Sequence, residues 1–475
     1  MKKMILLLIL SMTLISFIEI ISFEFIEHPI YSSPLTGASK VDAEDSDNDG
    51  DIDLLSGVMN DTGQKVTLFH KNLGGGLYAE PLTIHITASL SKLTNQIFFD
   101  YNGDDFPGVL IAEENSSAPL ILYLNNGDGT FQTTPVVLDD NSEDVSAIYI
   151  ADFDGDGKDD ILYAYSGFNA QLRWVKNLGG GNFEPPSTLK FLSGDATEIK
   201  TGYIDGDSHL DVIMSLISES TKNISFFAGT GSSIGSAQVI VNDVRSLGIA
   251  LGDFDNDGDI DLVYSEYFVH HVKWFSNDGT ANFTNEGDIV DVVIDSPWAI
   301  KNIDFNKDGY EDIGFISSGN NTIFIVLNDE NGTGNFIASP PLVVTQEKSG
   351  LVDIEFADIN NDTEGIVDVV SLSSTSSEVA WYETTTTLGV EDNSLETQLI
   401  LSPNPANNFV RLTNQTNIPL ESLAIYDMNG RLVDIISLTN MQLEKQVDVS
   451  VLSSGIYLMK ILGENASTIK RLIIK

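Results

Sequence analysis

The 475-residue chain contains no cysteine and has few basic residues for its length. It therefore has no disulfide, no thiolate nucleophile and no cysteine-based zinc or iron–sulfur site. Lys and Arg number 24 against 70 Asp and Glu, and seven of each kind lie beyond residue 394, so the acid excess lies entirely upstream. A surface this negative repels nucleic-acid phosphates and anionic lipid headgroups, and it favours hard cations held by oxygen ligands. We expect no nucleic-acid partner.

Catalytic motifs are missing as well. No G-x-S-x-G, H-E-x-x-H or P-loop pattern occurs, and the six histidines are scattered along the chain. The carboxylates are so numerous that no single pair stands out as the general acid and general base of an enzyme. The sequence is therefore compatible with a glycosidase or a lyase. A binding protein is favoured, and a secreted hydrolase or lyase that degrades polysaccharide or protein stays as the alternative.

Long hydrophobic runs are confined to the N-terminus. Lys2 and Lys3 precede an apolar run at 4–17, which is the layout of a secretory signal and is shorter than the roughly 20 residues of a spanning helix. We expect a signal peptide at 1–22, with an uncleaved anchor as the alternative. No second run follows, so we expect no transmembrane segment in the mature protein.

An Asp-rich segment recurs seven times, typified by DFDNDGDID from Asp253. Successive copies start 55, 52, 51, 50, 51 and 54 residues apart. Downstream of most copies, an apolar strand runs into Asn and glycines, as in RWVKNLGGGNF at 173–183. Short strands at this spacing, separated by Gly, Asn and Asp turns, predict an all-β fold with about four strands in each repeat. The period suits a propeller blade, and seven copies suit a seven-bladed β-propeller.

The two ends of the repeat array complement each other. The segment at 23–35 resembles the one that follows each glycine turn, and the seventh copy lacks that segment. We expect the N-terminal strand to complete the last blade, which removes a free sheet edge.

Residues 23–385 resemble the FG-GAP/VCBS-repeat propellers, the repeat type also found in integrin α-subunit heads. The resemblance rests on the seven Asp motifs and the glycine turns between them. It implies a calcium-binding propeller that presents a ligand surface.

The Asp loops have the ligand chemistry of calcium. In the copy from Asp253, alternating Asp253, Asp255 and Asp257 can point three carboxylates into one concavity, while Gly258 permits a sharp turn. A backbone carbonyl at the seventh position and an acid at the ninth bring the total to six or seven oxygens, which calcium accepts. The alternative is a set of Asx turns with solvated acids.

Four loops carry the complete pattern, and three depart from it. Gly108 replaces the ninth-position acid of the second copy, Tyr203 replaces the first-position Asp of the fourth, and two extra residues precede Asp368 in the seventh. The predicted ligands of the complete loops are Asp45, Asp47, Asp49, Asp51, Asp53; Asp152, Asp154, Asp156, Lys158, Asp160; Asp253, Asp255, Asp257, Asp259, Asp261; Asp304, Asn306, Asp308, Tyr310 and Asp312. Those of the incomplete loops are Asp100, Asn102, Asp104; Asp205, Asp207, Asp211; Asp358, Asn360, Asp362 and Asp368. We expect about four strong Ca²⁺ sites and up to seven in all.

A ligand surface is predicted at the end of the propeller opposite the Asp loops. Segments entering the inner strands and loops after the next strand both reach that end, and they carry basic and aromatic residues. The candidates are Arg245, Trp298, Tyr267, Phe268 and Phe168. Scattered surface residues are the alternative.

The repeat stops before residue 396, after a linker at 386–395. Alternating apolar strands with Asn-Gly and Ser-Gly turns then predict a small β-sandwich at 396–475. This tail resembles the type A C-terminal sorting domain of the bacterial type IX secretion system at Pro403, Asn404, Pro405, Gly430, Gly455, Tyr457, Lys470 and Lys475. The resemblance implies recognition by that machinery and release or attachment at the cell surface, by way of the periplasm. An ordinary adhesive sandwich is the alternative.

Taken together, these features predict an exported, calcium-stabilised propeller that binds extracellular protein or glycan ligands.

Overall fold

The chain is described by a computed structural model over residues 21–88, 91–329, 331–336, 340–346, 348–362, 365–388, 399–414, 419–427, 432–439, 441, 443–463 and 466–475. Two compact units meet in sequence at Thr385 and Thr386, the larger spanning Glu24–Thr385. The predicted all-β class is confirmed, because the described residues form strands, turns and one 3₁₀ turn at Gly167–Asn169. Residues 1–20 of the signal peptide predicted at 1–22, most of the predicted linker and Gly430 lie outside the described residues, and residues 21–22 belong to the first strand.

The larger unit contains seven four-stranded sheets, numbered here along the chain. Strand β1 (Ile21–Tyr31) belongs to the last of them. Sheet 1 comprises β2 (Ala38–Glu44), β3 (Asp53–Met59), β4 (Lys65–His70) and β5 (Leu82–Ile86). Sheet 2 comprises β6 (Lys92–Phe99), β7 (Gly108–Glu114), β8 (Leu120–Tyr123) and β9 (Val136–Asp139). Sheet 3 comprises β10 (Val145–Ala151), β11 (Asp160–Tyr165), β12 (Gln171–Val175) and β15 (Ser187–Phe191), and its glycine turn holds a small pair, β13 (Asn177–Gly179) and β14 (Asn182–Phe183).

The remaining sheets repeat the same antiparallel plan. Sheet 4 comprises β16 (Asp195–Gly202), β17 (Asp211–Ile217), β18 (Lys222–Phe227) and β19 (Gln238–Asn242). Sheet 5 comprises β20 (Ile249–Gly252), β21 (Asp261–Glu266), β22 (His271–Asn277) and β23 (Phe283–Asp288). Sheet 6 comprises β24 (Pro297–Ile303), β25 (Asp312–Ser317), β26 (Thr322–Val326) and β27 (Leu342–Thr345). Sheet 7 comprises β28 (Leu351–Ala357), β29 (Asp368–Ser373), β30 (Glu378–Leu388) and, as its outer strand, β1, which is where β1 was predicted to lie.

The second strand of each sheet is buried over nearly its whole length. Both faces of these strands pack on neighbouring sheets, so their sequences read as continuous apolar runs rather than as an alternation. In sheet 5, Leu251 of β20 pairs with Leu262 of β21, and Val263 pairs with Trp274 of β22.

Neighbouring sheets pack face to face in chain order. The first strand of each sheet lies beside the first strand of the next, and β28 of sheet 7 lies beside β2 of sheet 1. Apolar side chains fill the space between them, such as Phe254 and Phe315 between sheets 5 and 6, or Val41 and Val370 between sheets 1 and 7. The antiparallel connections place every Asp loop at one end of the sheets and every second-to-third-strand loop at the other.

The tail forms two packed sheets. One contains β31 (Leu399–Ser402), β32 (Phe409–Asn414) and β35 (Glu444–Asp448). The other contains β33 (Leu420–Asp427), β34 (Leu432–Ser437), β36 (Gly455–Gly463) and β37 (Ala466–Ile474), in the order β34-β33-β36-β37. Their facing side chains, including Leu412, Ile425 and Met459, form the core of the predicted sandwich.

A search of the described residues finds no helix with the length and hydropathy needed to span a membrane.

Candidate metal centres and binding surface

Each Asp loop joins the first strand of a sheet to the second, and in the loop from Asp253 the first carboxylate of the loop holds the turn. Asp253 accepts the backbone N–H groups of Asp257 and Gly258, each at 3.0 Å. Gly258 takes φ +97°, and Asn256 lies in the left-handed region at φ +56°, which lets the chain turn within four residues. The loops from Asp45 and Asp152 make the same two hydrogen bonds.

The curl brings carboxylates together. In three loops, one carboxylate oxygen from each of three acids lies within 4.8 Å of the others; the groups are Asp45, Asp47, Asp49; Asp152, Asp154, Asp156; and Asp253, Asp255, Asp261. These were predicted as ligands of complete loops. The fourth complete loop, from Asp304, forms no such group among the described residues.

Buried oxygens without a hydrogen-bond partner recur in the loops. Within the part of the chain that the structure describes, six loop side chains each leave one buried Oδ1 unpaired; they are Asp47, Asn102, Asp154, Asp255, Asp304 and Asp358. A buried acceptor without a donor is unfavourable, and a divalent cation satisfies several such oxygens at once. The residues present therefore fit a calcium ion.

Electrostatics favour a cation in the same places. Burial, and then repulsion from Asp257 and Asp253, raises the pKa of the Asp255 carboxyl. Burial is also the main cause that raises the pKa of the acids that close the loops, to about 7 for the ninth-position Asp261 and Asp312 and for the equivalent Asp368, and to about 6 for the ninth-position Asp53 and Asp160. A bound cation would hold these carboxyls ionised.

The ninth-position acids also anchor the loops to the third strands. Asp261 is fully buried; its Oδ1 accepts the N–H of Asn277 at 2.7 Å and its Oδ2 accepts that of Phe254 at 3.2 Å. Asp312 and Asp368 make equivalent pairs of bonds. Their predicted role as metal ligands is thus combined with a structural one.

The incomplete loops keep part of this geometry. Asp100 accepts the N–H of Gly103 at 2.9 Å, but Gly108 gives its loop no buried acid. In the fourth loop, Asp211 accepts the N–H groups of Ile204 and Asp205 at 2.9 and 3.1 Å, while Tyr203 is exposed at the first position. The acids of these two loops still hold the turn by accepting backbone N–H groups, but they offer an ion fewer oxygens than the complete loops do.

An asparagine at the end of the third strand clamps neighbouring sheets, which the sequence reading missed. Asn277 Nδ2 donates to the carbonyl of Ile260 in its own Asp loop at 3.1 Å and to that of Ile204 in the preceding sheet's loop at 2.8 Å. The residues that make this pair of bonds are Asn72, Asn125, Asn177, Asn277 and Asn328. The sequence signal for it was the recurrence of Asn before most of the glycine turns.

At the opposite end of the sheets, four of the five predicted ligand residues meet. The ring of Tyr267 lies 5.8 Å from that of Trp298 and 5.1 Å from that of Phe268, and the Arg245 guanidinium lies 5.1 Å above the Phe268 ring. Arg245, Tyr267, Phe268 and Trp298 are called the aromatic patch below. A shallow cavity of about 120 Å³ borders it. Phe168 is fully exposed in sheet 3 and makes no ring contact within the described chain, so the structure does not join it to the patch.

The sorting-motif residues lie at the last strand of the tail. Asn404 Nδ2 donates to the Arg471 carbonyl at 2.6 Å, and Asn404 Oδ1 accepts the N–H of Ile473 at 2.9 Å. The N–H of Lys475 donates to the Ala406 carbonyl at 3.0 Å. Gly455 begins β36, and the Tyr457 hydroxyl donates to the Ser453 carbonyl at 3.0 Å. The two ends of the tail are thereby held together.

Comparison with known families gives two matches. The FG-GAP-like repeat matches at 100–163, 152–214, 203–264, 253–315 and 304–364, which together cover more than half of the chain. A secretion system C-terminal sorting domain matches at 401–475.

Similarity to individual proteins is weaker. Cartilage acidic protein 1 of Xenopus tropicalis is 28% identical over 165 residues, covering 32% of this chain and 26% of that protein. The Homo sapiens protein of the same name is 26% identical over 165 residues, covering 32% and 25%. The chain thus spans about a quarter of the length of these curated relatives. A chain in the crystal structure of BBS1N in complex with ARL6DN, soaked with mercury, superposes with a TM-score of 0.50 at 7% identity, covering 77% of this chain and 99% of that one. This last likeness concerns the fold alone.

Proposed function

Because the chain belongs to the FG-GAP-like repeat family and carries a type IX sorting domain, we propose that it is a calcium-stabilised binding protein for extracellular protein or glycan ligands. The sorting domain makes it an exported protein, secreted or displayed at the cell surface, and implies recognition by the type IX machinery. The proposal concerns the bound calcium, the extracellular ligand and the surface that binds this ligand.

Calcium would have a structural role. The three carboxylate groups and the unpaired loop oxygens supply its ligands, and the ninth-position acids connect each ion to the third strand. Each asparagine clamp then connects that loop to the preceding sheet. Ions that bind only the folded chain stabilise it by mass action.

The aromatic patch carries the proposal for ligand binding. Phe268 is 63% exposed although it stacks under Arg245, and basic residues are scarce in the repeats. Exposed aromatic and arginine side chains are the types that dominate binding hot spots. The rings offer flat apolar faces to a sugar or an apolar side chain, and Arg245 offers donors to a carboxylate or hydroxyl.

The test begins with glycan and protein arrays probed with the calcium-loaded full-length chain. For any ligand found, Trp298→Ala with Tyr267→Ala should weaken binding at least about tenfold. Both side chains are half-buried, so circular dichroism must show that the double variant is folded at the assay temperature.

Phe191→Ala is the matched control, because Phe191 is 73% exposed at the end of β15 and lies outside the patch. Its affinity should equal that of the unchanged chain. Full affinity in the double variant would reject the patch, and turnover of a bound ligand would favour an enzyme.

A further inference from the structure

In sheets 1, 3 and 7, one residue of the third strand contacts the Asp loop of its own sheet; it is the residue just before the one whose N–H donates to the acid that closes the loop. In sheet 3, Lys176 Nζ contacts Asp154 and lies 3.1 Å from Asp156 Oδ2. In sheet 1, Lys71 Nζ contacts Asp47 and lies 3.5 Å from an oxygen of Asp49. We call this residue the pre-clamp residue.

The seventh sheet shows the same geometry with the opposite charge. Glu383 is its pre-clamp residue, and Glu383 Oε1 accepts a hydrogen bond from Asn360 Nδ2 at 3.4 Å. Asn360 holds the third loop position, the same position that Asp47 and Asp154 hold in their loops. The contact is therefore a property of the fold, and only the side chain differs.

The fold explains why this position points at the loop. The ninth-position acid accepts the N–H of the clamp residue, which fixes the end of the third strand against the loop. The clamp asparagine turns inward, and alternation along the strand turns its predecessor the other way. From sheet 1 to sheet 7 the pre-clamp residues are Lys71, Leu124, Lys176, Ala228, Ser276, Leu327 and Glu383.

We infer that the pre-clamp residue sets the calcium affinity of each loop. This rests on the calcium assignment proposed above. Lys71 and Lys176 each place an ammonium group against the carboxylates that would bind calcium. The ammonium repels the cation and must move away before calcium can bind, which lowers the calcium affinity of the loop. Ser276 leaves the loop from Asp253 without a competitor; within the described residues no ion pair involves Asp253, Asp255 or Asp257.

Glu383 acts in the opposite direction. It adds a carboxylate beside a loop whose third position is the neutral Asn360, so it replaces the charge that the loop lacks. Its second oxygen accepts from His28 Nε2 at 3.0 Å, which holds the side chain in place. The loops should therefore fill in order, the one from Asp253 before those from Asp45 and Asp152.

Native mass spectrometry of the full-length chain at fixed free calcium counts bound ions directly. Lys71→Met with Lys176→Met should move two ions to free calcium concentrations at least about tenfold lower. Ser276→Lys should move one ion to higher concentrations, and Glu383→Gln should weaken one further ion. Lys190→Met is the matched control: Lys190 lies on β15 of sheet 3, its Nζ donates to the Gly235 carbonyl, and among the described residues it forms no ion pair with a loop acid.

The outcomes separate the two proposals. A chain that binds no calcium at millimolar concentrations overturns the calcium assignment itself. Calcium that binds with the same profile in the unchanged chain, the double Lys variant and the Ser276→Lys variant overturns the role of the pre-clamp residue alone. A shift of equal size in the Lys190→Met control would show that only net charge matters and would also overturn it. Circular dichroism checks that each variant is folded. If the double variant of Lys71 and Lys176 does not fold, Ser276→Lys still tests the inference independently.

Discussion

Replacing the clamp residue Asn277 by Ala should destabilise the repeat unit measurably. The side chain is 3% exposed, and its Nδ2 is the donor to two loop carbonyls, at 2.8 Å to Ile204 and 3.1 Å to Ile260. Removing a donor from a buried acceptor costs about 1–3 kcal/mol, so losing both should lower the free energy of unfolding by about 3 kcal/mol. Asn277→Asp should cost more, because a buried carboxylate would then face two carbonyl oxygens.

Urea unfolding of the full-length chain at saturating calcium measures this loss. Asn282→Ala is the control in the same hairpin turn, because Asn282 is exposed and its Nδ2 donates to Asp278 and Thr280 of that turn. The control should change the free energy of unfolding by less than about 0.5 kcal/mol. If Asn277→Ala unfolds at the same urea concentration as the control, the asparagine does not clamp the sheets.

Two more predictions concern a buried acid and the tail. Burial, and then repulsion from Glu355, raises the pKa of Asp42 from its usual 3.8 to about 7, so native Asp42 stays protonated while the unfolded chain ionises. The stability that protonated Asp42 contributes is therefore lost as pH rises from about 4 to 7. The free energy of unfolding of Asp42→Asn should equal that of the unchanged chain at pH 4 and exceed it at pH 8 by up to about 4 kcal/mol. Equal free energies of unfolding at pH 8 would refute the pKa shift. Deleting residues 395–475 should leave the repeat unit folded in the periplasm, because Glu24–Thr385 is compact and the sorting domain is lost. Cell fractionation decides this, and normal surface delivery of the truncated chain would show that the tail has no sorting role.

The repeat architecture could be predicted from the sequence because its signals are local. Alternating acids around Gly258 specify one turn, and the roughly 50-residue period places a sheet after each turn. The Asn404 motif likewise identified the tail before its contacts with Arg471 and Ile473 were known.

Contacts between sheets could not be predicted in the same way. Asn277 reaches a carbonyl 73 residues away, and Lys176 meets Asp154 across 22 residues, so both depend on how strands pack. The same holds for the aromatic patch: Arg245 and Phe268 are in contact, whereas Phe168, chosen by the same reasoning, makes no ring contact with them among the described residues. The length and direction of the loops decide which side chains come into contact, and neither can be read from the amino-acid composition.

Calcium in the Asp loops is proposed to stabilise the folded chain. The most direct test is the melting temperature of the full-length chain in millimolar calcium and in excess chelator. Three sites at about 100 times their Kd contribute on the order of 8 kcal/mol, so chelator should lower the melting temperature by about 10 °C, and added calcium should restore it. An identical melting temperature in calcium and in chelator would contradict the claim.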